Sequence, residues 1–148
     1  MTVKPEQKLF QDLKKQLEKA KKQIHFVRVE NLIEQGTPDL NCCYEGVEFW
    51  LELKADDGRI PRLSKYQIAW HYRRHKAGGK SWILQRTQKD ERLKLFEGSG
   101  TGDVGTWSPV MELPFPLLAS RHNSPVPASR SVFPFVEIFD FIKNKHRL

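Results

Sequence analysis

Apolar positions along the chain follow two rhythms. Leu9, Leu13 and Leu17, with Phe10 and Ala20, mark one face of a helix predicted over Pro5 to Lys22; Pro5 suits the first helical position and lysines fill the other face. Ile24 to Glu30, carrying Phe26, Val27 and Val29, predicts a strand, followed by a loop from Asn31 to Pro38 that Gly36, Thr37 and Pro38 keep irregular. Asp39 to Tyr44 and Val47 to Lys54 then flank Glu45 and Gly46, a two-residue hairpin turn in which Gly46 accepts positive φ. A polar connector over Arg59 to Leu63 leads into a second helix, Ser64 to Ala77, with Tyr66, Ala69, Trp70 and Ala77 near one face and Gly78 and Gly79 as its stop. Trp82 to Thr87 predicts another strand, continued by Leu93 to Phe96. Beyond Glu97, Gly98, Gly100, Gly102, Gly105 and five prolines from Pro109 to Pro127 interrupt every pattern, and no element is assigned there. Phe135 to Lys145 recovers helical spacing through Phe135, Ile138, Phe139 and Ile142, a face that would pack on the domain or on a second copy.

This order predicts an α/β fold with a mixed central sheet flanked by helices: a core over residues 1–97, then a glycine- and proline-rich extension with a C-terminal helix over 98–148. A length of 148 residues with 39% hydrophobic and 29% charged positions fits one globular core. No run approaches the roughly 18 apolar residues that cross a bilayer, and Lys4, Pro5 and Glu6 stand where a secretory leader would be apolar. A protein that is neither membrane-bound nor secreted is expected. The cysteines are the neighbours Cys42 and Cys43, which point to opposite faces of a strand and close no loop, so a reducing cytoplasmic compartment is expected too.

Charge narrows the partner. The net charge is +7, and between Arg59 and Lys94 eleven basic residues face only Asp90 and Glu91, so this segment carries +9 and the remainder −2. Such an excess suits a polyphosphate partner, although a solvated lysine-rich surface would produce the same count.

The hairpin supplies the chemistry. With two turn residues, Tyr44 faces Val47, Cys42 faces Phe49 and Leu40 faces Leu51 on an apolar face suited to the core. The opposite face pairs Cys43 with Glu48, Asn41 with Trp50 and Asp39 with Glu52, and Lys54 lies two residues further on that face. Opposed carboxylates about 5 Å apart repel by roughly 3 kcal/mol at an effective dielectric near 20. That is a large part of a domain's net stability of about 5–15 kcal/mol. A positive group between them relieves the repulsion: either Lys54 or a divalent cation, for which hard oxygen ligands favour magnesium or manganese over zinc. The competing reading is an exposed hairpin end where Asp39 makes a turn and Glu52 pairs with Lys54 in solvent.

Pro38-Asp39 followed by Glu52-Leu53-Lys54 resembles the PD-(D/E)XK nuclease signature. The surroundings are most similar to its VRR-NUC branch, which includes stand-alone phage and bacterial nucleases resembling Holliday junction resolvases. The likeness spans Glu6 to Leu84 and takes in Glu6 in the first helix, Gly36-Thr37-Pro38-Asp39-Leu40 and Phe49-Trp50-Leu51-Glu52-Leu53-Lys54-Ala55. It continues through Leu63-Ser64-Lys65-Tyr66-Gln67 with Trp70, and Ala77-Gly78-Gly79 before a strand.

The resemblance implies a restriction-endonuclease-like core and a Mg2+ (or Mn2+) dependent DNA endonuclease, leaving 5′-phosphate and 3′-hydroxyl ends. Asp39, Glu52 and the Leu53 carbonyl would hold the metal, and Glu6 would supply or orient a further ligand. Lys54 would position the attacking water or stabilise the phosphorane-like transition state, and Gln67 would support Lys54 and the metal-bound water. Arg59, Arg62, Lys65, Arg73, Arg74, Lys76 and Lys80 would contact DNA. A homodimer selecting branched DNA, in the cytoplasm of a bacterial or phage-infected cell, completes the expectation. Two alternatives stay open: a nicking or restriction-like nuclease on linear or single-stranded DNA, and a nucleic-acid-binding module without catalysis.

Individual residues have rival explanations. Glu6 sits in a first helical turn, where the helix dipole alone favours an acid. Gln67 follows Ser64 by three, which makes a capping box. His71 and His75, four apart on a helix, lack a third nitrogen or sulfur ligand nearby in sequence, so exposed phosphate-contacting or idle histidines are expected. Glu48 reads as surface, and Trp50 and Trp70 read as packing residues.

Overall fold

The computed structural model describes residues 3–30, 34–116 and 133–147. In chain order the elements are α1 (Pro5–Lys19), β1 (Ile24–Arg28), β2 (Leu40–Tyr44), β3 (Val47–Lys54), α2 (Lys65–Lys76), β4 (Ser81–Thr87), β5 (Arg92–Glu97), a 3-10 turn (Val104–Thr106), β6 (Met111–Pro114) and α3 (Pro134–His146). The protein is α/β: a six-stranded mixed sheet in the order β1-β2-β3-β4-β5-β6, flanked by three helices among the described residues. All neighbouring pairs are antiparallel except β3 with β4, which α2 joins as a crossover.

The hairpin register is the expected one, with Tyr44 opposite Val47, Cys42 opposite Phe49 and Leu40 opposite Leu51. Glu45 and Gly46 both take positive φ, 46° and 86°, the mirror-image turn whose twist matches that of paired strands. Alternation then sends Leu40, Cys42, Tyr44, Phe49, Leu51 and Leu53 to one face, where β4 and β5 add Trp82, Leu84, Leu93 and Leu95. Leu9, Leu13 and Leu17 of α1 and Phe135, Ile138, Phe139 and Ile142 of α3 close over this face. The C-terminal helix thus packs on its own domain. Its N-terminus lacks a side-chain cap of its own, and Gln16 of α1 accepts the Phe135 N–H at 2.6 Å instead. The second face carries a smaller cluster of Ile83, Phe96 and Trp107, with α2 laid across it.

Three expectations are corrected. The first helix stops at Lys19 rather than Lys22, because Lys21 turns left-handed at φ 57°. Residues 82–87 and 93–96 form two antiparallel strands rather than one continued strand, reversed at a turn where Glu91 has φ 53°. The stretch after Glu97 is not featureless: β6 pairs with β5 through Leu95 and Met111, and its Pro114 is tolerated because β6 lies at the sheet edge. Residues 31–33 of the expected loop and 117–132 of the proline-rich stretch lie outside the described residues. No described helix is long and apolar enough to cross a membrane.

Candidate active site

The site forms where β2 ends before β3 does. The β2–β3 ladder closes at Leu40 and Leu51, so Glu52, Leu53 and Lys54 extend past it. Asp39, one residue before β2, fills the gap: its backbone carbonyl accepts the Val29 N–H at 2.9 Å and its Oδ2 accepts the Leu53 N–H at 2.9 Å. A strand residue's N–H and C=O point the same way, so the Leu53 carbonyl faces this same opening. The preceding loop is pinned to α2 by Gly36, at φ 90°, where a Cβ would lie 2.2 Å from the Tyr66 carbonyl oxygen. Glycine there brings Pro38 and Asp39 against the start of α2.

Glu52 is 1% exposed. Its Oε1 accepts a hydrogen bond from Gln67 Nε2 at 2.8 Å. The other end of the Gln67 amide accepts the Ser64 N–H at 2.9 Å, and Ser64 Oγ accepts the Gln67 N–H, completing the capping box. The capping reading of Gln67 therefore holds, while the other end of its amide reaches Glu52 rather than Lys54. Burial first, then a hydrogen bond with Asp39 and the Asp39 charge, push the Glu52 carboxyl far above the usual carboxylate range; Lys54 offsets this only in part. Two carboxyls close enough to share a hydrogen bond titrate as a pair.

Lys54 is half-buried and makes no ion pair among the described residues, which removes the reading in which it pairs with Glu52 in solvent. Glu6 stands further out: burial raises its pKa, Lys54 lowers it, and Asp39 and Asp56 raise it, so one electrostatic field links α1 to the strand ends. Among the described residues no three His, Cys, Asp or Glu side chains form one metal-ligating group, so Glu6 lies outside the immediate pair.

The donor set fits a hard divalent cation. Two carboxylates and a backbone carbonyl are all oxygen ligands, and the buried Glu52 carboxyl lacks a neutralising partner that would make its ionised form comfortable.

Two polar residues nearby escaped the sequence reading. Gln85 sits beside Lys54 in the parallel register and is fully buried. Its Nε2 donates to Asp56 Oδ1 at 2.9 Å and to the Gly58 carbonyl at 2.8 Å, while its Oε1 has no hydrogen-bond partner among the described residues. Asp56 also accepts the Gly58 and Arg62 amides, which holds the connector after Lys54 in place. The sole sequence sign of either was a polar residue beside or within an apolar run.

His71 is corrected from exposed to fully buried. Its Nδ1 shares a hydrogen bond with Ser81 Oγ at 2.6 Å, its ring lies edge-on to Trp70 and Trp107, and burial lowers its pKa to about 4. His75 and Glu48 are exposed.

The expected DNA-contacting residues separate into groups. Arg59, Arg62 and Lys65 are exposed near the carboxylate end, with Arg59 also donating to the Gly105 carbonyl at 3.1 Å. Arg73 pairs with Glu34 at 3.3 Å, Arg74 lies over the rings of Trp70 and Trp50, and Lys76 is exposed beside Tyr72, all toward the C-terminal end of α2. Lys80 begins the approach to β4 at its opposite end and donates to the Lys145 carbonyl at 3.0 Å. The basic segment does not form one surface either: Arg86 is nearly buried against Asp12 at 2.7 Å, and Arg92 pairs with Glu112. Comparison with protein-family models, curated proteins and solved structures finds no match to this chain.

Proposed function

We propose that this chain is a divalent-metal-dependent endonuclease that hydrolyses phosphodiester bonds in DNA. The observation that carries the reading is the buried Glu52 carboxyl, held by Gln67 and facing the charge of Asp39, which itself holds the Leu53 amide, with an uncommitted lysine beside both. An acid pair kept for structure alone would be neutralised by its nearest cation; here Lys54 is left free of ion pairs among the described residues.

Asp39, Glu52 and the Leu53 carbonyl would hold magnesium or manganese, which supplies neutralisation of phosphate charge and a lowered pKa for water. Asp39 keeps the Leu53 peptide turned toward the opening through its 2.9 Å bond to the amide. Gln67 fixes the orientation of the Glu52 carboxyl and is itself fixed by the capping box. The Lys54 ammonium meets the negative charge that builds on the non-bridging and leaving oxygens as water attacks in line. Arg59, Arg62 and Lys65 supply salt-sensitive contacts to the phosphates around the cut. A second copy carrying an equivalent site would suit paired cuts in branched DNA.

The test is incubation of the protein with labelled duplex, single-stranded, flap and four-way DNAs, with magnesium or with a chelator. Cleavage requiring the metal, lost in Asp39→Asn while DNA binding persists, is the expected result. Equal cutting of linear duplex and four-way junctions at matched salt would remove the branched-DNA part; no metal-dependent product from any DNA would remove the nuclease.

A further inference from the structure

Toward its C-terminal end, α2 forms one wall of a cavity of about 330 Å3 lined by Glu34, Trp70, Arg73, Arg74, Ala77 and Gly79. We infer that this cavity binds one unpaired nucleotide of a DNA strand, its base stacked on the Arg74 guanidinium and its phosphate held by Arg73. The assignment rests on the DNA reading above and adds to it the kind of DNA taken.

The geometry is that of a stacking platform. The Arg74 guanidinium lies 4.6 Å from the Trp70 ring centroid and 5.7 Å from that of Trp50, and the two indoles meet edge-on at 5.6 Å. Gly79 makes room for it, since a Cβ there would lie 2.7 Å from Arg74 Cδ. A planar cation backed by indoles is a surface on which bases of any sequence stack. Within a duplex, away from its ends, both faces of a base are covered by its neighbours, so along a strand it is an unpaired nucleotide that can offer a face to it. The cavity volume, at the small end of the roughly 300–1,000 Å3 range of ligand sites, suits a single nucleotide.

Charge and distance agree. Among the described residues the ion pair of Arg73 is with Glu34, and both side chains are more than half exposed, so a phosphate can compete for its guanidinium. Arg74 stands seven residues beyond Gln67, about 10 Å along the helix, or roughly three nucleotides of rise from the Glu52 contact.

The test measures binding in excess chelator, so cleavage plays no part. Fluorescence anisotropy compares a forked DNA with a short unpaired arm against a fully paired duplex of the same length. The fork is expected to bind at least about fivefold tighter, the lower end of what stacking one base contributes. Arg74→Ala should abolish that preference while changing duplex affinity less than about twofold, and Arg74→Lys, which keeps the charge without the plane, should behave like Arg74→Ala. Equal binding of fork and duplex by the unaltered protein would overturn the inference, as would equal weakening of both DNAs in Arg74→Ala or full rescue by Arg74→Lys. Fork preference without any magnesium-dependent cleavage would overturn the nuclease proposal and leave this one standing; cleavage without fork preference would do the reverse.

Discussion

The two faces of the sheet follow opposite rules. Toward α1 and α3 the buried side chains are apolar, the Tyr44 hydroxyl donates to Asp140 at 2.7 Å, and Arg86 is paired with Asp12. Toward α2 lie Glu52, His71, Ser81, Gln85 and Thr87, all buried. On that side Gln85 Oε1, His71 Nε2 and Trp107 Nε1 have no hydrogen-bond partner among the described residues. An unsatisfied buried polar group costs about 1–3 kcal/mol, so the first face stabilises the fold while the second holds groups that detract from it. Local conflict of this kind concentrates where a site has a task other than stability.

The sharpest way to break the comparison is to substitute on each face and read cleavage per folded molecule. Asp39→Asn, Glu52→Gln and Lys54→Ala should each lower metal-dependent cleavage by about 10³-fold or more while leaving DNA affinity near its original value. Phe139→Ala, on the other face, should act the opposite way. Phe139 meets Phe26, Tyr44 and Phe49 edge-on at 5.4–6.2 Å, so its truncation should cost about 3–5 kcal/mol in denaturant unfolding. The molecules that remain folded should cleave normally. A loss of folding in Lys54→Ala comparable to that of Phe139→Ala would mean that the second face is structural after all.

How far each face was legible from sequence follows from the same contrast. The hairpin register could be read because a two-residue turn leaves only one in-register pairing, and that pairing set Asp39 and Glu52 at the same end of the sheet. Gln67 was legible as a cap from its spacing to Ser64, and its hydrogen bond to Glu52 uses the opposite end of the same amide. Gln85 and His71 were not. β4 is buried on both faces, so it shows no alternation, and the burial of His71 depends on Trp70, Trp107 and Ser81, which meet only in the folded chain. The reversal between β4 and β5 was hidden because a glutamate, not a glycine or asparagine, occupies its left-handed position. β6 was hidden by prolines that an edge strand tolerates.

Titration sharpens the comparison further. The unfolded His71 takes up its proton near pH 6.5 and the folded one near 4, so the unfolded state binds more protons between those values. Stability is therefore complete above pH 6.5 and falls by about 3 kcal/mol as the pH drops toward 4. The Glu52 carboxyl is shifted the other way, so the folded state holds the extra proton above pH 4.5 and the metal-free protein loses stability as the pH rises. Glu52→Gln keeps an acceptor for Gln67 and removes the charge. It should raise the melting temperature at neutral pH without metal and flatten the alkaline limb, leaving the acid limb in place. Unchanged alkaline behaviour in Glu52→Gln would place the proton elsewhere.

The smallest effect tests the two ends of the parallel pair. Lys80 precedes Ser81, which is in register with Trp50, two residues before Glu52, so along the sheet Lys80 lies about 10 Å from the level of the Glu52 carboxylate. Its ammonium is occupied by the Lys145 carbonyl, and the same end is closed by Trp82 Nε1 donating to His146 Nε2 at 2.9 Å. Lys80→Ala should accordingly change DNA affinity less than about twofold at moderate salt, and it should leave the salt slope intact, whereas Arg62→Ala should lower that slope by about one counterion. A Lys80→Ala slope reduced as much as that of Arg62→Ala would mean that DNA reaches across the whole length of α2, and that the basic residues at both ends serve one continuous path.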